Sequence, residues 1–89
     1  MFMVIEDFRR YDRKAIYRRA RDKGRLLPDG LRFVESWVAA DMGRCFQLME
    51  TDDVTLLQRW VAEWCDLTEF EIVPVTLGRD TAKALSAQL

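Results

Sequence analysis

Histidine is absent from this chain, and the absence removes whole chemistries. A haem or zinc site ligated by imidazole needs it, and so does a Ser-His-Asp triad. Cysteine is sparse, with only Cys45 and Cys65. Two isolated thiols cannot build a disulfide framework, and they read as reduced groups. No run of about 18 apolar residues occurs, so no membrane-spanning helix is expected. The opening MFMVIEDFRR places apolar residues before basic ones, the reverse of a secretory leader, so a cytoplasmic protein is expected. No linker, internal repeat or low-complexity segment is visible.

What is present is apolar material. Hydrophobic residues make up 49% of 89 residues, with three Trp and five Phe. That is more than a disordered chain carries, and slightly more than so small a monomer easily hides. The excess points to one domain with burial against a second copy. The net charge of −1 conceals an asymmetry: nine of the fourteen basic residues lie between Arg9 and Arg25, against only Asp12 and Asp22. Most acids fall later, so the molecule is electrically two-sided.

The pattern predicts an α+β domain. Met1 to Glu6 reads as a strand buried on both faces. Asp12 is an N-cap for a helix to about Lys23, stopped by Gly24, with Ala15, Ile16, Tyr17 and Ala20 inward. Pro28-Asp29-Gly30 is a turn. Leu31 to Ala40 and Arg44 to Glu50 read as strands joined by Asp41-Met42-Gly43, the pattern of a type I turn closed by a left-handed glycine. That loop predicts a register in which Ala40 faces Arg44, Val38 faces Phe46, Trp37 faces Gln47 and Glu35 faces Met49. Thr51 or Asp52 caps a helix from Asp53 to about Cys65, whose Leu57, Trp60, Val61 and Trp64 form one buried stripe. Phe70 to Leu77 is the last strand, expected to be an edge strand or to carry a bulge at Pro74, which cannot donate to a ladder. The core is thus about residues 1–77, with a tail, 78–89, in which Asp80 to Leu89 is expected to form a frayed helical turn.

Strand, helix, hairpin, helix, strand is the ferredoxin-like βαββαβ order, a four-stranded antiparallel sheet with both helices on one face. The predicted register puts Val34, Val38, Phe46 and Leu48 under the helices. The uncovered face then carries Phe33, Glu35, Trp37, Cys45, Gln47 and Met49. A sheet face bearing Phe and Trp is an exposed patch that monomers avoid, and two domains packed face to face would cover it.

The segments MVIEDF, GLRFVESWV, RCFQLMETDD and FEIVPV resemble those of a small bacterial family known only as domain of unknown function 3303. The resemblance runs from about Met1 to Val75, and RCFQLMETDD is its most specific piece. That family is similar to the dimeric α/β-barrel superfamily, where two ferredoxin-like protomers pair their sheets into a barrel, often around a ligand cavity. The resemblance implies this fold and a homodimer, and no established activity. Superfamily members include small monooxygenases, isomerases and ligand-binding proteins, so any cofactor-free monooxygenase- or isomerase-like activity is analogy alone.

The candidate ligand pocket is therefore Glu35, Trp37, Cys45, Gln47 and Met49, between the two sheets. There Trp37 is an aromatic wall, Glu35 a carboxylate able to act as a general base and Gln47 an amide to orient a carbonyl. The plainer reading is a dimer interface with no ligand. Cys45 lacks a His to activate it and reads as a packed thiol. Glu50, Asp52 and Asp53 cluster near a helix start, where capping accounts for them without a metal. The basic stretch Arg9 to Arg25 offers phosphate or nucleic-acid contacts, but a solvated helix face is the favoured reading, given few stacking aromatics and a pI near 5.4. No cofactor and no metal site is expected.

Overall fold

The computed structural model describes residues 1–89. β1 (Phe2–Asp7), β2 (Arg32–Val38), β3 (Arg44–Glu50) and β4 (Glu69–Pro74) form one antiparallel sheet in the order β2-β3-β1-β4. α1 (Arg13–Lys23) follows β1, α2 (Val54–Trp64) follows β3, and α3 (Gly78–Leu85) ends the chain with a 3₁₀ turn. This is the expected ferredoxin-like order with a regular third helix added, where only a frayed turn was expected. α3 buries no residue.

Each boundary has a local cause. The Asp12 side chain accepts from the Lys14 N–H at 3.0 Å, and Gly24, at φ 69°, closes α1 by donating to the Ala20 carbonyl. Leu31 N donates to Pro28 O at 3.1 Å across a turn with Gly30 at φ 93°. A Cβ at Gly30 would also lie 2.8 Å from Leu56 Cδ1. The cap of α2 is Asp53, which accepts from Thr55 N at 2.9 Å. Neither Thr51 nor Asp52 caps it, because Thr51 turns its hydroxyl to the Asp53 main chain instead. β2 stops at Val38 and β4 at Pro74, both shorter than the apolar pattern suggested. As expected of a strand carrying Pro74, β4 lies at the sheet edge.

β1 is hydrogen-bonded on both sides, to β3 and β4. Val4 and Met49 are fully buried against Ile16 of α1 and Leu57, Trp60 and Trp64 of α2, so both helices cover one face. Trp60 meets Phe70 edge-to-face at 5.5 Å.

The hairpin between β2 and β3 departs from expectation, with consequences for the faces assigned to β3. Ala39 N donates to Arg44 O at 2.9 Å and Met42 N to Ala39 O at 2.8 Å. The loop therefore holds Ala40 to Gly43, one residue more than expected, and Met42 rather than Gly43 takes the positive φ, 61°. Gly43 has a different reason for lacking a side chain: a Cβ there would lie 2.9 Å from Arg9 Cγ. The extra residue shifts the register by one. Val38 pairs with Cys45, Trp37 with Phe46, Ser36 with Gln47 and Glu35 with Leu48. A bulge at Val34 then brings Phe33 opposite Met49. With strand period two, one step of register exchanges faces. Cys45, Gln47, Met49 and Val38 lie under the helices. Phe46 and Leu48, expected there, lie on the uncovered face with Glu35 and Trp37.

Candidate functional site

A cavity of about 480 Å³ opens between α1 and the sheet near the β2 edge. Its floor is Glu6 on β1, Cys45 and Gln47 on β3, and Ser36 and Val38 on β2. Ile16 and Tyr17 of α1, with Trp60 and Trp64 of α2, form much of the rest. These side chains converge because β1, β3 and β2 are neighbours and each presents alternate residues to the helices.

Glu6 is the unusual member. It sits in the central strand, only 4% exposed, one pleat from fully buried Val4. Gln47 on the adjoining strand donates from Nε2 to Glu6 Oε1, and no buried side-chain polar atom lacks a partner. Burial raises the Glu6 carboxyl from its ordinary 4.5 to about 7, against the opposing pull of the Gln47 hydrogen bond and the Arg25 charge. The group thus gains and loses a proton near neutral pH. Cys45 beside it is pushed up to about 11 by burial and by Glu6, with Arg25 opposing. It is a thiol at neutral pH and no nucleophile.

Arg25 stands at the mouth. Its carbonyl accepts from Trp60 Nε1 at 2.8 Å and from Trp64 Nε1 at 3.1 Å. Its guanidinium lies 3.5 Å from the Phe33 ring centroid and donates from Nη1 to Gln47 Oε1 at 3.1 Å. Gln47 therefore bridges a cation at the surface and a carboxyl in the interior.

The five residues expected to form one pocket are divided by the sheet. Cys45 and Gln47 line the cavity. Met49 is fully buried in the core. Glu35 and Trp37 are exposed on the outer face, Trp37 by half. The sequence reading missed Glu6 and Arg25. A carboxylate two residues beyond Val4, in a strand read as buried on both faces, was the available signal for Glu6. Nothing local marks Arg25 among the eight other basic residues of its stretch.

Five of the other eight basic residues between Arg9 and Arg25 are engaged within the chain. Arg9 pairs with Asp7 at 2.6 Å, Arg19 with Asp66 at 2.7 Å, Arg21 with Asp22 at 2.8 Å and Arg18 with Asp12 at 3.2 Å. Arg10 reaches Glu69 at 3.5 Å. No three Cys, Asp or Glu side chains converge as metal donors, and no helix is long and apolar enough to cross a membrane.

The family described as Domain of unknown function (DUF3303) matches the chain over residues 1–89. The chain belongs to that family. No curated protein and no solved structure matches it. The family's description names no activity.

Proposed function

We propose that this DUF3303 protein binds a small organic molecule in the cavity between α1 and the sheet, where Glu6 exchanges a proton with it. The observation that carries this reading is a carboxyl buried in an apolar cavity, protonatable near neutral pH and held by Gln47. A purely structural core has little use for such a group, because an ionisable side chain is costly to bury. A volume of about 480 Å³ suits a small ligand. The site differs in place from the one expected between two sheets, and NMR separates them. With small aromatic acids, alcohols and amides as probes, the Gln47 side-chain amide and the Trp60 and Trp64 indole signals should shift together. Shifts confined to the Trp37 indole would move the site to the outer face, and no shift with any probe would sink the reading.

The outer face supports a second element of the proposal, a homodimer. Met3, Ile5, Phe46, Leu48 and Trp37 form an apolar centre across β1, β3 and β2. Around it, Glu35, Glu71 and Arg44 have no ion-pair partner in the chain. A face with unpaired charges of both signs around an apolar centre is self-complementary under a two-fold axis. Sedimentation should give about twice 10.5 kDa, and a monomer at micromolar concentration would refute the pairing.

A further inference from the structure

We propose that the cavity selects an organic acid: an apolar, ring-sized body lodged inside, with its carboxylate on the Arg25 guanidinium at the mouth. This rests on the cavity being a ligand site and adds the class of ligand.

The argument begins with how firmly Arg25 is placed. Two buried tryptophans direct their indole N–H groups at one atom, the Arg25 carbonyl oxygen. The main chain is thereby pinned beside the cavity from two successive turns of α2. Phe33 then supports one face of the guanidinium, and Gln47 takes a hydrogen bond from Nη1. A long, exposed side chain is normally spread over many rotamers; here both ends are held, so little entropy remains to be lost when a ligand docks.

The second observation is what the guanidinium does not do. Most arginines on α1 and before it are matched to a carboxylate, but Arg25 has no ion pair. Apart from the bond to Gln47, its N–H donors have no acceptor in the chain. The one carboxyl in the same cavity, Glu6, is reached through Gln47 and sits deeper. A planar fork of donors, fixed and unsatisfied, suits a planar carboxylate that can accept two parallel hydrogen bonds. Ile16, Val38 and Trp60 offer the acid's remainder an apolar lining. A small hydrophilic anion would leave that lining in water, so the fit is to an acid with an apolar body.

Isothermal titration calorimetry with 2-naphthoate, the neutral 2-naphthalenemethanol and inorganic phosphate tests the idea. The acid should bind at least about tenfold more tightly than the alcohol, and phosphate alone should bind weakly. Arg25→Gln should erase the margin between acid and alcohol while leaving the far-UV spectrum unchanged. Arg79→Gln, on α3, should leave the margin intact. Equal binding of acid and alcohol by the unaltered protein would overturn the acid class while preserving the ligand site. Phosphate binding as tight as naphthoate would likewise overturn it, since the apolar body would contribute nothing. A margin that survives Arg25→Gln would remove Arg25 as the reader of the acid, and failure of all three probes would remove the site itself.

Discussion

The two faces of the sheet contrast in an unexpected sense. The face covered by helices holds the polar groups Glu6, Gln47, Cys45 and Ser36 among its apolar residues. The uncovered face carries Met3, Ile5, Phe46, Leu48 and Trp37 at its centre. Hydrophobic burial alone explains Val4, Met49 and Ile72 on the covered face, but not these exceptions on either face. These exceptions are what the proposed ligand site and homodimer would account for. A covered face tolerates a carboxyl only when its hydrogen bonds are supplied, as Gln47 supplies them here. An apolar face in water is the signature of a surface with a partner.

The contrast breaks most readily at two consecutive residues. Met49 is fully buried under the helices, and Leu48, its neighbour, points outward half-covered. Met49→Ala should lower stability by about 2–5 kcal/mol, the usual cost of emptying a core site. In a lone chain Leu48→Ala should cost about 1 kcal/mol or less, measured by denaturant unfolding. If the outer face is covered by a second copy, Leu48→Ala should instead weaken association, and its cost should grow with protein concentration. Equal, concentration-independent losses for the two would erase the distinction between the faces.

Glu6 sharpens the comparison through pH. Its carboxyl is raised to about 7 in the fold from an ordinary 4.5, so the folded chain holds the proton more tightly than the unfolded chain. The associated stability is complete below about 4.5 and is lost as pH rises to about 7. The amount at stake is about 3 kcal/mol. Asp7, Asp53 and Asp66 are shifted downward by hydrogen bonds from Arg9, Thr55 and Arg19. They act oppositely and at more acid pH, leaving the Glu6 window clear. Glu6→Gln should abolish the decline and be the more stable protein at pH 8, because an amide oxygen still accepts from Gln47. A wild-type stability that is flat between pH 5 and pH 8 on an order-of-magnitude scale would contradict this account.

The smallest expected effect lies in the loop that decides the faces. Met42 sits at φ 61°, where a residue with a Cβ is strained, and it is half exposed. Met42→Gly should therefore stabilise by up to about 1 kcal/mol. A three-residue loop with Gly43 left-handed would give the opposite result, since glycine would then only loosen Met42.

Much of this molecule was legible in the order of its residues. Element order follows from periodicity and local punctuation: the Asp12 cap, the Gly24 stop, the turn at Gly30 and the Leu57, Trp60, Trp64 stripe all act over a few residues. Pro74 likewise marked β4 as either an edge strand or a bulged one, because a missing N–H is a local fact, and β4 lies at the edge. The family was also readable, in segments such as RCFQLMETDD. The faces of β3 were not, because they hang on whether one loop holds three residues or four, and Met42 and Gly43 compete for a single left-handed position. That competition is settled by distant groups: Gly43 O accepts from Phe8 N at 3.1 Å, and Arg9 packs where a side chain on Gly43 would stand. The cavity is a matter of tertiary structure for the same reason. Glu6, Arg25, Gln47 and the paired tryptophans come from β1, a loop, β3 and α2, and only the folded sheet and helices bring them within hydrogen-bonding reach.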